Sequence, residues 1–149
     1  MVVAIWPWRH WRGVSAMTAI ERYLPPGFLL LNGVLYVLLA ALFIVNPLQW
    51  FANLGIQLRG ELGYTELKTM YIGLMGSLGI FSLLAAFRSE LRDGALLLFF
   101  ISYTALAVVR SWGIFVDQLY DDFTLQLLVA ELVSAAAAGL AWYSLRSRV

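Results

Sequence analysis

Four long stretches of the sequence are almost free of charged residues. They are residues 23–58, 69–87, 94–116 and 123–145. The third contains only Arg110 and the fourth only Glu131. A bilayer core is crossed by about 20 consecutive apolar residues in a helix. We therefore predict four transmembrane helices, at about residues 28–46, 65–87, 94–116 and 123–144.

The connections between the last three predicted spans are short, so neighbouring spans must run antiparallel. A water-soluble bundle is the alternative, and its helices would show a polar face at every turn. Residues 94–109, GALLLFFISYTALAVV, show no such face. We predict an all-α, polytopic membrane protein: one domain over residues 1–149, with four transmembrane helices in an antiparallel bundle.

Two further segments are typical of a membrane interface. In residues 1–27, tryptophans alternate with cationic residues, and a short helix over 15–23 is expected to end at Pro25 and Pro26. In residues 47–64, apolar side chains recur at helical spacing from Leu48 to Leu62, which predicts an amphipathic helix covering the bundle. Both segments are predicted to contain short interfacial helices.

The distribution of basic residues predicts the orientation. One side carries Arg9, Arg12, Arg22, Arg88, Arg92, Arg146 and Arg148, and the other carries Arg59 and Lys68. Because cytoplasmic loops are enriched in Lys and Arg, we expect both termini in the cytoplasm. In a bacterium, the 47–64 loop would then be periplasmic.

Composition agrees with this class and excludes others. The chain is 62% hydrophobic and only 13% charged, far from the values of a soluble domain or of a disordered chain. A net charge of +1 argues against a nucleic-acid partner. The chain has no cysteine and only His10, which excludes thiolate chemistry, iron–sulfur clusters, Cys zinc sites and bis-histidine haem. We expect no enzyme activity, no cofactor and no metal site.

The two charges within the spans are the most informative residues. Arg110 lies roughly 9 Å and Glu131 roughly 12 Å from the same side of the membrane, at a rise of about 1.5 Å per residue. Charged residues in spans are costly and usually pair or face a cavity. We therefore predict an Arg110–Glu131 ion pair. Tyr71 lies at a similar depth, which predicts a polar pocket with Glu66 and Lys68 at its rim.

This pair has three possible roles. It could set helix register and partner choice without binding anything. It could line a pocket for a small polar or amphiphilic ligand, such as a lipid or quinone headgroup. It could also take part in ion or proton movement, although a proton relay needs more titratable groups than Glu131 alone.

Small residues predict where helices approach each other closely. Gly73, Gly76 and Gly79 reduce the bulk on one side of the second span. In the fourth, Ala135 and Gly139 match the small-x-x-x-small pattern of membrane helix contacts, and Ala135 shares a face with Glu131. These positions are expected to pack against helices of this chain or of a partner.

Residues 65–142 resemble a family of small bacterial membrane proteins known only as a domain of unknown function. The residues that carry this resemblance are Glu66, Leu67, Tyr71, Ile72, Gly73, Leu74, Gly79, Ala85, Ala86, Phe87, Arg88, Arg110 and Glu131. The resemblance implies a four-helix protein of the inner membrane and supplies no activity.

The sequence thus favours a non-catalytic accessory or assembly subunit of a larger complex in a bacterial inner membrane. Its expected partners are membrane lipids and other membrane-protein subunits, or a second copy of itself. The alternative is a small transporter or ligand binder that uses the Arg110–Glu131–Tyr71 pocket.

Overall fold

The computed structural model describes residues 19–57 and 60–146, and the regular structure in these residues is entirely helical. The helices are α1 (Ala19–Val45), α2 (Pro47–Asn53), α3 (Glu61–Lys68), a π-helix (Thr69–Leu74), α4 (Met75–Phe87), α5 (Ser89–Phe115) and α6 (Asp122–Arg146). The α3, π and α4 segments follow one another without a break. Four helical stretches are long and apolar enough to cross a membrane: Arg22–Val45, Leu62–Phe87, Ser89–Phe115 and Asp122–Arg146.

Helix α1 passes through two prolines that the sequence predicted would end a helix. Pro25 and Pro26 both lie inside α1, so the predicted stop is wrong. A proline removes one backbone hydrogen bond and crowds the preceding turn, but Pro25 is fully buried. Burial of its ring offsets that cost. Residues 19–27 therefore extend the first span, and the rest of the predicted interfacial arm lies outside the described residues.

The predicted interfacial helix of the second loop is much shorter than expected. Helix α2 begins with Pro47 after the Asn46 cap, whose side chain accepts a hydrogen bond from the Gln49 N–H at 3.4 Å. It ends before Gly55, which has a φ of +74°, a conformation that glycine adopts at little cost. Residues 62–64 belong instead to the second membrane-length stretch, so the predicted loop over 47–64 extends three residues too far.

Helix α1 contacts each of the other long helices. Its most extensive contact is with α4, and it also packs against α6, α5 and the π-helix. At the α1–α4 crossing, a Cβ atom on Gly79 would lie 2.9 Å from the Val37 backbone nitrogen, and one on Gly33 would lie 2.9 Å from that of Leu83. The two backbones therefore touch. The Ser82 hydroxyl spans the same contact and donates to the Leu29 carbonyl oxygen at 2.8 Å.

At one end of the bundle, hydrogen bonds connect the α4–α5 junction and the end of α6. Helices α4 and α5 are joined by Arg88 alone. The Arg92 guanidinium donates to the carbonyl oxygens of Ala85 and Ala86 at 3.3 and 2.8 Å, which satisfies carbonyls at the end of α4. Asp93 accepts hydrogen bonds from Trp142 and Arg146 at 3.0–3.2 Å and so ties α5 to the end of α6. Arg92 and Asp93 thus both serve helix junctions.

Candidate functional site

An ion pair joins α5 and α6 inside the two apolar stretches that are long enough to cross a membrane. Arg110 Nε donates to Glu131 Oε2 at 2.9 Å, and Arg110 Nη2 donates to Oε1 at 2.6 Å. This two-point geometry is the strong form of an arginine–carboxylate contact. The Glu131 side chain is 9% exposed, whereas the Arg110 side chain is 27% exposed. The predicted pair is confirmed, and its arginine has the more open position.

The location of the pair follows from the pattern of α6. Glu131, Ala135, Ala138 and Ala141 are all buried, so the small residues bring α6 close to its neighbours and carry Glu131 inward with them. Because α5 and α6 pack as antiparallel neighbours, Arg110 on α5 meets Glu131 at a common depth. The contact is thus a direct consequence of register on two adjacent helices.

Tyr71 belongs mainly to a different set of contacts. Its ring packs on those of Phe43 and Phe51, with centroids 4.6 and 5.5 Å apart, and Phe51 is 1% exposed. This aromatic cluster attaches α2 and the π-helix to the end of α1. Tyr71 also interacts electrostatically with Arg110. No hydrogen bond between the two is found in the described part of the chain.

Lys68 and Glu66 lie apart from the ion pair. The Lys68 ammonium is 5.0 Å from the centroid of the Tyr64 ring, and Glu66 is exposed. Lys68 lines an open groove of about 280 Å³ together with Thr65, Thr69, Ile72 and Gly73. Arg110 and Glu131 do not line this groove. The five residues that the sequence assigned to one pocket therefore do not share a cavity: Arg110 and Glu131 form the ion pair, Tyr71 packs in the aromatic cluster, Lys68 lines the groove and Glu66 is exposed.

A second open groove runs between α5 and α6. It has a volume of about 260 Å³ and is lined by Thr104, Ala107, Val108, Ser111, Leu132 and Ala135. Its lining is mostly apolar, and the Thr104 hydroxyl donates to the Phe100 carbonyl oxygen of its own helix at 2.7 Å. This groove suits an acyl chain or an apolar side chain better than a polar ligand.

A buried polar layer next to the ion pair is absent from the sequence-based prediction. The Tyr103 hydroxyl donates to Asn32 Oδ1, and it also interacts with the side chains of Tyr36 and Ser134. Ser134 lies three residues after Glu131 on α6, so the layer and the ion pair are neighbours on one face of that helix. The signal was present in the first span, because Asn32 and Tyr36 are four residues apart in an otherwise apolar run and so share one helix face.

At the rim, Asp121 caps the start of α6. Its carboxylate accepts hydrogen bonds from the Thr124 hydroxyl at 2.6 Å and from the Thr124 N–H at 2.8 Å. These two contacts, the hydroxyl first, lower the pKa of Asp121 below its usual range. The cap therefore stabilises α6 above the ordinary pKa of aspartic acid, and this contribution is lost as the pH falls through the lowered value.

The predicted packing residues differ in what they contact. Gly79 lies at the backbone contact between α1 and α4, and a Cβ atom on Gly76 would meet that of Ala40 at 3.6 Å. Ala135 is buried in the core, and a Cβ atom on Gly139 would lie 3.1 Å from the Phe100 ring. Gly73 is exposed and a Cβ atom there would meet nothing within 4 Å. The expected packing of Gly73 inside the chain is therefore not found among the described residues.

The fold and the site together define the class of protein to which this chain belongs. In the part of the chain that the structure describes, four long apolar helices form a bundle compatible with a multi-pass membrane protein, with an ion pair between α5 and α6 and a buried polar layer beside it. It belongs to the DUF4345 family, a domain of unknown function that matches residues 26–142. The resemblance inferred from the sequence is thus confirmed over most of the chain. No curated protein and no solved structure matches it.

Proposed function

We propose that this protein is a non-catalytic accessory or assembly subunit that binds a transmembrane helix of another membrane protein. One observation carries the proposal: a row of small residues on the outside of the second span. The row consists of Thr65, Thr69, Gly73 and Ser77, which recur at every fourth position and are all exposed. We call it the outer row.

The outer row has the properties of a membrane helix contact. Small residues let two backbones approach closely, and the van der Waals packing that results is one of the forces that associate helices in a lipid environment. The hydroxyls of Thr69 and Ser77 donate to carbonyl oxygens of their own helix, those of Thr65 and Leu74, at 3.0 and 2.9 Å. They therefore add little polar cost to a close contact. By contrast, Ala135 and Gly139 of α6 are used within the chain.

We further propose that the bundle lies in a bacterial inner membrane with both termini in the cytoplasm. In the described residues, Arg22, Arg88, Arg92 and Arg146 lie at one end of the bundle and Lys68 lies towards the other. This asymmetry supports the proposed orientation because basic residues are enriched on the cytoplasmic side. Membrane lipids are then the surrounding partners of the exposed apolar surface.

Gly73→Leu tests the proposed contact. Its side chain would enter open space in the isolated chain, so the fold should be retained, whereas a partner helix would be held away from the outer row. We expect the tagged Gly73→Leu variant to capture no stoichiometric partner from native membranes, whereas the unmodified chain captures one. The measurement is affinity capture in mild detergent with quantitative mass spectrometry.

Ala136→Leu is the matched control, because Ala136 is an exposed small residue on α6, away from the outer row. It should retain the partner at the level of the unmodified chain. Equal recovery of the partner with both variants would contradict a contact through the outer row. Capture of the unmodified chain alone, or only with copies of itself, would contradict the accessory-subunit proposal.

The ion pair supports a second candidate function, binding of a lipid or quinone headgroup at Arg110. The supporting observation is that the pair occupies Nε and Nη2 while the Arg110 side chain stays 27% exposed within the apolar layer. A guanidinium has five N–H donors in a planar arrangement. Donors beyond those used by Glu131 can therefore reach a polar headgroup.

Arg110→Lys distinguishes this candidate from a purely structural pair. Lysine keeps the charge but lacks the planar fork of donors, so we expect bound lipid or quinone to be lost while the bundle stays folded. Native mass spectrometry of the purified protein measures the bound molecules, and circular dichroism checks the fold. Unchanged ligand occupancy in Arg110→Lys would leave the pair with a structural role only.

A further inference from the structure

The buried polar layer contains one polar atom whose bonding capacity is not used. Asn32 is 5% exposed, and its Oδ1 accepts the hydrogen bond from Tyr103. Its Nδ2 is buried and has no hydrogen-bond partner among the described residues. Buried polar groups in folded proteins are nearly always paired, so this amide points to a binding partner that is not a side chain of the described bundle.

Rotation of the amide does not remove the problem. If the oxygen and nitrogen of Asn32 exchanged places, Nδ2 would donate to Tyr103 and Oδ1 would become the unpartnered atom. One side of the amide is therefore unsatisfied in either orientation. A partner that fits both cases must be able to accept and to donate a hydrogen bond.

The surroundings offer further hydrogen-bonding groups to such a partner. The side chains of Tyr36 and Ser134 both interact with the Tyr103 hydroxyl. Buried ligands of this kind are held by two to four polar groups. The remaining walls are apolar, since Phe99 packs edge-on against Tyr36 at 5.9 Å between ring centroids. The site thus favours a small, uncharged occupant.

We propose that the polar layer binds one water molecule, whose oxygen accepts from Asn32 Nδ2 and whose protons are donated to hydroxyl oxygens of the layer. Water is the smallest molecule that both accepts and donates, and it carries no charge into the apolar bundle. Bound in this way, it joins Asn32 of α1 to Tyr103 of α5 and Ser134 of α6. The assignment is independent of the partner helix and of any headgroup at Arg110.

The chain has only three asparagines, which makes the test selective. The substitutions Asn46→Asp and Asn53→Asp are introduced together, because both asparagines are exposed and aspartate preserves the cap at position 46. With ¹⁵N-asparagine, Asn32 then gives the sole labelled side-chain amide signal. The protein is placed in lipid nanodiscs with deuterated acyl chains, and cross-peaks from the amide protons are recorded by NMR.

We expect cross-peaks between the Asn32 amide protons and water. Ser134→Ala removes one hydroxyl of the layer and should reduce their intensity. The control Ser111→Ala changes a hydroxyl in the groove between α5 and α6 and should leave it unchanged. Amide protons that show cross-peaks only to protein carbon-bound protons would overturn the proposal. So would equal intensities in the two serine variants.

Discussion

Glu131→Ala should destabilise the folded chain by about 2–4 kcal/mol, because it leaves Arg110 charged and without its partner in the apolar layer. The lower part of this range reflects the partial exposure of Arg110. Arginine does not lose its proton in proteins, so it has no neutral form that would relieve the cost. The free energy of unfolding, measured by denaturant titration or steric trapping in bicelles, gives the result.

Two companion variants separate charge from packing. Glu131→Gln keeps the size and one hydrogen-bonding oxygen, so its loss should be smaller than that of Glu131→Ala. The exchanged pair, Arg110→Glu with Glu131→Arg, keeps both charges and should recover part of the loss if the role is structural. Stability equal to that of the unmodified chain in Glu131→Ala would mean that the pair contributes nothing to the fold.

Gly79→Ala should destabilise the bundle by about 1–3 kcal/mol through overpacking. The added Cβ atom would lie 2.9 Å from both Val37 N and Val37 Cγ2 and 3.1 Å from the Gly33 carbonyl oxygen. Two of these three atoms belong to the backbone of α1, so the helices must move apart. This loss should exceed the gain of about 1 kcal/mol that alanine brings to a helix.

Gly73→Ala is the matched control on the same span. It carries the same change in helix propensity, and its Cβ atom meets nothing within 4 Å. Its unfolding free energy should be unchanged or higher by up to about 1 kcal/mol. The comparison is made by the same unfolding measurement. A Gly79→Ala variant at least as stable as Gly73→Ala would show that the α1–α4 backbones are not in contact.

The sequence predicts the features that depend only on position along the helix axis, such as where a span lies and how deep a residue is in it. Span positions follow from charge-free length, and the common depth of Arg110 and Glu131 follows from the rise per residue. The inward orientation of Glu131 follows from its helical spacing to Ala135 and Ala138. These are properties of single helices and of direct neighbours, so the periodicity of the sequence contains them.

Features that depend on lateral position around the bundle could not be predicted in the same way. Tyr71 has the expected depth, but its position on the π-helix places its ring against Phe43 of α1. Lys68 likewise lies in a separate groove. Depth alone does not say which helix a side chain meets. The continuation of α1 through Pro25 and Pro26 also depends on burial by other helices, which overrides local propensity.

The π-helix has a geometric consequence for the outer row. In an α-helix, a step of four residues overshoots a full turn by about 40°, so a row at every fourth position winds gradually around the axis. The π turn over Thr69–Leu74 holds more than four residues, so the step from Thr69 to Gly73 falls short of a full turn and offsets the overshoot of the α-helical steps on either side. The π-helix thus keeps the row closer to one side of the helix axis, so that the row runs straighter along the span. A straight row can be followed along its length only by a helix lying nearly parallel to the second span.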